Sequence, residues 1–219
     1  MIAEKFSDTR KNFWRDLEFI ADYPKEGDQV LDYGCGNGRL LNLLSRKKAD
    51  YFGVDVSAEL IGKAKEKFPE ASLKFSKISI QGSLPFPNDF FNAVFSVAVF
   101  HHFPPVHAEI VAKELFRVTR PGGKAIITVW NLWQRKYWKY IFGPRIIFDK
   151  VFQRGEYVDM GFGDVFIPFK DNDGKIFERY HRAYSQRELK RVFSRAGFLV
   201  EGCFLKGGKN IVLVAGKEK

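Results

Sequence analysis

A glycine-rich turn between an apolar strand and a helix constrains the fold of this chain more than any other feature. Residues 30–41 read VLDYGCGNGRLL, in which an apolar run ends in Asp32 and glycines follow at alternate positions, Gly34, Gly36 and Gly38. Glycines let a backbone approach a ligand closely, and the N-terminus of the following helix favours negative charge. The turn therefore predicts a ligand cradle at the end of a buried strand.

Strand-like and helix-like segments alternate along the chain. The patterns predict helices over residues 5–22, 38–45, 58–68, 107–119 and 186–198, with Ser57 as an N-cap and Pro121-Gly122-Gly123 as a stop and turn. They predict strands over residues 29–34, 50–57, 72–79, 91–100, 124–130, 199–205 and 210–216. The alternation predicts an α/β fold, a mostly parallel sheet with helices on both faces, closed by an antiparallel C-terminal hairpin at KGGK.

Length and charge narrow the class of protein. The 219 residues fit a single domain, 1–219, within which residues 131–178 break the rhythm as an insertion. A net charge of +10 favours a polyanionic partner or an anionic surface. The two cysteines suit a reducing compartment, and the absence of a signal-peptide pattern makes the cytoplasm the expected location. The apolar run 93–100 is too short to span a bilayer.

The spacing of the glycines discriminates between cofactor classes. A dinucleotide fingerprint reads Gly-x-Gly-x-x-Gly, whereas here the third glycine comes one residue early and Arg39 follows it. A phosphate-binding Gly-Lys-Ser/Thr motif is also missing from the sequence. Strand, acid and Gly-x-Gly-x-Gly together resemble motif I of the class I S-adenosylmethionine-dependent methyltransferases. That resemblance implies their seven-stranded Rossmann-like fold and S-adenosyl-L-methionine as cofactor.

The same resemblance implies which residues contact the cofactor. Asp32 falls at the methionine end, and Asp55 falls where the family has an acid that accepts hydrogen bonds from both ribose hydroxyls. The implied cofactor site further comprises Gly34, Cys35, Gly36, Asn37, Gly38, Val56 and Val97. The chain departs from the pattern where an adenine-contacting Asp is expected, because Ile80 stands there and Asn92 replaces another common Asp. Ser79 or Gln81 is the candidate adenine contact.

Four further segments suggest the acceptor. FSDTRKNFW, AVFHHF, VWNLWQ and DVFIPF…RYHRAYS occur in the order found in the tRNA wobble-uridine methyltransferases of the AlkB-homologue-eight type. That resemblance implies methyl esterification of 5-carboxymethyluridine, with tRNA and a small activator subunit as partners. Trp133 and Arg182 depart from the family's residues. The implied substrate-binding residues are Arg10, Trp14, Trp130, Asn131, Trp138, Arg179, Tyr180 and Arg182.

The chemistry of such an acceptor can be judged from the residues. A carboxylate with a pKa of about 4 is ionised at neutral pH, so it needs a cationic clamp rather than a base. Arg10, Arg179 and Arg182 are candidates for that clamp. His101 and His102 follow the fourth strand, and we expect one of them to orient the acceptor, or to deprotonate it if it is a hydroxyl or an amine. No metal is expected.

The start of the insertion, residues 131–154, alternates aromatic and cationic side chains. Such a mixture suits stacking and charge contacts with an unpaired RNA loop. A membrane surface, with a lipid or quinone substrate, and a simple lid with buried aromatic side chains both stay open as alternatives. A cofactor-binding RNA module without turnover is a further alternative at this point.

Overall fold

The structure is a computed structural model that describes residues 13–79, 83–152, 160–170 and 174–219. The six α-helices within these ranges are α1 Arg39–Leu44, α2 Ala58–Lys67, α3 Pro105–Val118, α4 Trp138–Ile141, α5 Pro144–Val151 and α6 Gln186–Arg195. The nine strands are β1 Gln29–Tyr33, β2 Asp50–Asp55, β3 Phe75–Lys77, β4 Phe91–Val97, β5 Thr119–Trp130, β6 Asp164–Lys170, β7 Ile176–Arg182, β8 Leu199–Lys206 and β9 Asn210–Gly216. Short 3-10 helices cover Arg15–Asp22, Ser45–Lys47, Pro69–Lys74, Phe100–His102 and Arg135–Tyr137.

The main sheet has seven strands in the order β3-β2-β1-β4-β5-β9-β8. Strands β1 to β5 pair in parallel, whereas β9 runs antiparallel to both β5 and β8. This topology confirms the predicted fold class. Because the strand order reverses between β1 and β4, the carboxyl ends of these two strands mark the point where sheets of this kind bind ligands.

Helices cover both faces of the sheet because consecutive strand residues point to opposite sides. Val30 packs with α1, α2 and the first 3-10 helix, whereas Leu31 packs with α3 and α6. The same alternation separates Ala93 from Val94. Ser57 caps α2 as predicted, since its hydroxyl accepts a hydrogen bond from the N–H of Leu60 at 3.2 Å.

Several predicted element boundaries differ from the structure, and three of them follow. The described part of the leading helix is a 3-10 helix that begins at Arg15, and residues 5–12 of that prediction lie outside the described ranges. Pro69 begins a 3-10 helix, which leaves β3 only Phe75–Lys77 for pairing. The Pro121-Gly122-Gly123 segment is not a separate turn but lies within β5, at the irregularity in its pairing with β4.

The insertion consists of α4, α5 and an antiparallel hairpin, β6–β7, whose second strand extends beyond the predicted end at residue 178 to Arg182. A small core of Leu132, Ile141, Val165 and Ala183 holds it to the end of β5. Trp133, Tyr137 and Tyr140 pack against that core, whereas Trp138 and Phe142 are exposed. Among the described helices, not one has both the length and the apolar character needed to cross a bilayer.

Candidate active site

A cavity of about 300 Å³ opens at the carboxyl edge of the sheet, where β1, β2 and β4 end. Its walls contain segments that follow each of these strands: Gly34–Asn37, Asp55–Ser57 and Val97–Val99. Of the predicted cofactor-binding residues, Asp32, Gly34, Cys35, Gly36, Asn37, Asp55, Val56 and Val97 line this first cavity. Ser79 lies in an adjoining groove that shares Val56 and Ile78 with it. Gln81 lies outside the described residues.

The glycines of the turn serve packing as well as ligand access. Gly34 and Gly38 both have left-handed backbone, with φ of 76° and 75°. A Cβ atom on Gly34 would lie 2.3 Å from a methyl group of Val99, and one on Gly38 would lie 2.8 Å from the ring of Phe75. Both positions therefore require glycine for the turn to pack on the sheet, and Gly38 does so from outside the first cavity.

Asp32 is a buried carboxyl group that faces the first cavity. The hydroxyl of Tyr51 donates a hydrogen bond to its Oδ2 at 2.7 Å. Burial raises the pKa of Asp32 to about 7, even though Tyr51 and Arg39 both act to lower it. Such a group gains most from a cationic ligand atom, which stabilises its ionised form.

Asp55 stabilises the turn and also faces the ligand space. Its Oδ2 accepts a hydrogen bond from the N–H of Gly36, and its Oδ1 accepts one from the N–H of Ser57, both at 2.9 Å. Burial raises the pKa of Asp55, although these backbone donors act to lower it. Each carboxylate oxygen has a second acceptor position, so the predicted contacts with two ribose hydroxyls remain available.

Arg39 is a cationic residue to which the sequence analysis gave no role in ligand binding, because it was noted only as the residue that follows the glycine turn. It is 8 % exposed and lines the first cavity, and its guanidinium carbon lies 3.7 Å from the centre of the Trp14 ring. Burial lowers the pKa of Arg39 to about 10, so it stays charged. Within the described residues, its Nη1 is buried without a hydrogen-bond partner. A guanidinium group can donate two hydrogen bonds to a carboxylate. Arg39 and Asp32 are therefore complementary to the carboxylate and the ammonium group, respectively, of an amino acid.

Arg179, on β7, and His102 close the other end of the first cavity. The guanidinium Nη2 of Arg179 lies 3.2 Å from His102 Nε2, and His102 Nδ1 lies 3.3 Å from the carbonyl oxygen of Tyr180. Since arginine only donates and a carbonyl only accepts, these contacts assign the proton of neutral His102 to Nδ1. The Nε2 lone pair of His102 is therefore directed at Arg179. Burial lowers the pKa of Arg179.

Two more histidines lie beside this pair, and the ligand nitrogens of all three lie within 4.8 Å of one another. His101 is buried and its Nδ1 accepts the N–H of Trp130 at 3.3 Å, which places the proton of the neutral ring on Nε2. His181 donates from Nδ1 to the carbonyl oxygen of Arg179 at 2.8 Å, and burial lowers its pKa to about 4. A metal would need three imidazole lone pairs, whereas those of His101 and His102 already accept hydrogen bonds. The expectation of no metal stays a prediction.

The remaining predicted substrate residues lie apart from the first cavity. Arg182 forms ion pairs with Asp164 at 2.9 Å and with Glu188 at 2.6 Å, and it thereby joins the insertion to α6. Its predicted clamp role stays a prediction. The Tyr180 hydroxyl donates to the same Asp164. The Asn131 amide donates to the carbonyl of Gly208. Arg10 lies outside the described residues.

The three tryptophans predicted to bind substrate lie in two different regions of the structure. Trp14 and Trp130 line a second cavity, of about 470 Å³. Trp138 is half-exposed on α4, and its indole N–H donates to the carbonyl of Trp133. Of the two predicted catalytic histidines, His102 lines the first cavity, whereas His101 does not and lies against Trp130, with ring centres 4.8 Å apart.

Comparison with known proteins agrees with this geometry. Residues 31–127 match the family model described as "Methyltransferase domain". A solved S-adenosylmethionine-dependent methyltransferase from Methanosarcina mazei superposes with a TM-score of 0.73 at 20 % identity, covering 94 % of this chain and 99 % of that one. A putative methyltransferase in complex with the Haloferax volcanii Trm112 activator has a TM-score of 0.65 at 19 % identity, covering 99 % and 94 %. These likenesses show the fold.

The match over residues 31–127 shows that this chain contains a methyltransferase domain, and its sheet topology is that of the class I, S-adenosylmethionine-dependent methyltransferases. S-adenosyl-L-methionine is the cofactor that this domain and fold imply. Among curated relatives, the chain is 40 % identical over 135 residues to the Xenopus tropicalis protein named tRNA (carboxymethyluridine(34)-5-O)-methyltransferase alkbh8. It is 35 % identical over 105 residues to a fatty-acid O-methyltransferase of Mycolicibacterium smegmatis.

These curated relatives are longer proteins. The alignments cover 61 % of this chain and 20 % of the Xenopus protein, and 47 % of this chain and 37 % of the mycobacterial protein. The similarity therefore identifies the methyltransferase domain and leaves the acceptor to be inferred from the site.

Proposed function

We propose that this enzyme transfers a methyl group to the carboxylate of 5-carboxymethyluridine at the wobble position of tRNA. One observation supports the carboxylate above all. Arg179 lines the first cavity, and within the described residues no carboxylate forms an ion pair with it. A partly buried guanidinium without an anionic partner favours an anionic ligand, to which it offers a planar, two-point contact.

The histidines fit an acceptor that is already ionised. The Nε2 atom of His102 faces Arg179, so the lone pair that a general base would use accepts a hydrogen bond from a cation. Deprotonating a hydroxyl or an amine there would place a second positive charge beside Arg179, which is unfavourable. We infer that His102 positions Arg179 and the acceptor rather than removing a proton. The sequence left open whether a histidine orients the acceptor or deprotonates it, and this inference favours the orienting role.

The other end of the first cavity fits the cofactor. Asp32 would hold the ammonium of its methionine part, Arg39 the carboxylate, and Asp55 the ribose hydroxyls. When bound, the cofactor supplies an electrophilic methyl group for an in-line displacement, a reaction in which orientation accounts for much of the acceleration. In this arrangement Arg179 holds the acceptor, and Phe103 and Val99 contribute apolar walls that exclude water.

The names of the relatives are consistent with a carboxylate acceptor. One names a carboxymethyluridine and the other a fatty acid, and both are O-methyltransferases. A fatty acid is the second candidate, because Trp138, Phe142 and Ile147 expose apolar surface on the insertion. The positive charge of the chain favours tRNA.

Further parts of the proposal follow from the same reasoning. A small activator subunit is a proposed partner, since the Haloferax volcanii neighbour was solved with one. The cytoplasm and a single domain over residues 1–219 stay predictions.

Methyl transfer from labelled cofactor tests the acceptor directly. Nucleosides from tRNA treated with the enzyme, with and without an added activator subunit, should show 5-carboxymethyluridine converted to its methyl ester by mass spectrometry. Mild alkali should then release the label as methanol. Alkali-stable label on the nucleoside would contradict an ester, and label transferred only to fatty acid would favour the second candidate.

Arg179 variants test the clamp. Arg179→Met should lower kcat/KM by roughly 10- to 150-fold, the equivalent of the 1.5–3 kcal/mol expected for a hydrogen bond to a charged group, and Arg179→Lys should recover part of that loss. Cofactor affinity, measured by calorimetry, should stay unchanged in both. Equal activity of the methionine and lysine variants would contradict a role for the charge.

A further inference from the structure

The second cavity lies next to the first and has a different character. Three cationic residues, Arg15, Lys136 and Lys209, and three aromatic residues, Trp14, Trp130 and Tyr137, contribute to its walls. Among the described residues that line it, Asp16 is the one acidic residue, so positive charge prevails there. The ammonium of Lys136 lies 4.7 Å from the centre of the Tyr137 ring. Cations beside aromatic rings suit a phosphodiester and an unstacked base.

Two sets of packed side chains lie between the cavities, one of two residues and one of three. Trp14 lines the second cavity and carries on its ring the guanidinium of Arg39, which lines the first. Trp130 lines the second cavity and stacks on His101, whose ring centre lies 4.3 Å from that of His102 in the wall of the first. The two cavities are thus separated by little more than the thickness of these side chains. Two cavities this close together suit two neighbouring nucleotides of one RNA chain.

We propose that the second cavity binds the nucleotide adjacent to the acceptor in an unpaired RNA loop. Its base contacts the aromatic side chains, and its phosphate lies against Lys136 and Lys209. This inference rests on the proposed function, because it requires an RNA acceptor in the first cavity. It also moves the expected RNA contact of the insertion from the exposed Trp138 to the side of the insertion that faces the 3-10 helix Arg15–Asp22 and the β8–β9 hairpin.

A charge-matched comparison tests the phosphate contact. The double variant Lys136→Gln/Lys209→Gln removes two charges from the second cavity, and Lys65→Gln/Lys113→Gln removes two exposed charges from α2 and α3, outside both cavities. The probe is an anticodon stem–loop RNA that carries 5-carboxymethyluridine, and its affinity is measured by fluorescence anisotropy at several salt concentrations. The cavity variant should lose more affinity than the control, and its salt slope should fall by about 0.7 for each phosphate contact removed.

The aromatic contact has its own variant. Tyr137→Leu keeps an apolar side chain against the small core of the insertion and removes the ring. If the ring stacks on a base, RNA affinity should fall roughly 5- to 150-fold with an unchanged salt slope. Cofactor affinity and thermal unfolding should match the wild type in both variants, and so should methylation of free 5-carboxymethyluridine nucleoside, which is too short to reach the second cavity.

Each outcome decides between the two proposals. If the wild type binds the stem–loop and the cavity variants bind it equally well, the second cavity is not an RNA site and the proposed function stands. Equal losses in the two lysine pairs would likewise overturn the inference, because they would indicate a general effect of charge. If the wild type binds no RNA and methylates only fatty acid, the proposed function fails and the inference fails with it.

Discussion

The ionisation of Asp32 gives the most direct test of the cofactor site. Burial raises the pKa of this carboxyl group to about 7, so it changes charge within a range that calorimetry covers easily. Only the ionised form can pair with the ammonium of the cofactor. Cofactor affinity should therefore increase as the pH rises through this pKa, which is the opposite of what a histidine that must be protonated would cause.

The size of the effect follows from the pKa. For a group with a pKa of about 7, roughly a tenth is ionised at pH 6 and roughly nine tenths at pH 8. The dissociation constant should accordingly be about tenfold larger at pH 6 than at pH 8. His181 does not contribute to this change, because its pKa of about 4 keeps it neutral throughout.

The assay is isothermal titration calorimetry with S-adenosyl-L-homocysteine, the demethylated cofactor, at pH 6, 7 and 8. Asp32→Asn is the matched control, since an amide keeps the shape and cannot ionise. It should bind more weakly than the wild type at pH 8 and show little dependence on pH. A wild-type affinity that is constant over this range, or a dependence that persists in Asp32→Asn, would refute the assignment of the ammonium to Asp32.

The same pKa has a consequence for stability in the absence of cofactor. The folded protein holds the Asp32 proton more tightly than the unfolded chain, in which the pKa is near 3.8. The free energy of unfolding should therefore fall as the pH rises from about 4 to about 7, by up to about 4 kcal/mol from this group alone. In Asp32→Asn, chemical denaturation should show that this contribution is missing.

Three further substitutions have distinct expected results. Asp55→Ala should abolish most cofactor binding and also lower stability by about 2 kcal/mol, because the N–H groups of the turn lose their acceptors; calorimetry and thermal melts separate the effects, and unchanged affinity would contradict the ribose role. Arg39→Met should weaken S-adenosyl-L-homocysteine at least tenfold but not methylthioadenosine, which lacks the amino acid; equal losses of both ligands would contradict a carboxylate contact. Arg182→Met should destabilise the protein by roughly 3 kcal/mol, since it leaves Asp164 and Glu188 unpaired; an unchanged denaturation midpoint would contradict that role.

The fold could be predicted because its signals are local. The alternation of Val30 and Leu31 between two cores, the capping serine of α2 and the glycine turn after β1 each act within a few residues. The sequence pattern did not predict where β3 begins, because the residues before it can form either a strand or a 3-10 helix. Pro69 favours the first turn of the helix. Pairing with a single neighbour along this edge adds little to favour a longer strand.

The residues of the candidate site also differ in how far the sequence could predict them. Asp32 and Asp55 were predicted from the family resemblance, and the structure brings them to one edge because they lie near the carboxyl ends of neighbouring parallel strands. The roles of Arg39 and Arg182 could not be predicted from local pattern, since they depend on partners far away in the chain. The sequence RYHRAY offers Arg179 and Arg182 as equal candidates for a clamp. Strand register alone turns one towards the first cavity and the other towards Asp164.

At both ends of the first cavity, the charges of the lining residues are complementary to the ligand proposed for that end. At the cofactor end, Asp32 and Arg39 place one group of each charge in the cavity wall, which fits a ligand that carries both charges, such as an amino acid. At the acceptor end, Arg179 favours an anionic ligand, and the proposed esterification would remove the negative charge of that ligand. Under the proposed function Arg179 would therefore hold the acid more tightly than the ester, so the guanidinium that selects the substrate would also favour release of the methylated product. The proposed reaction would then need no catalytic base.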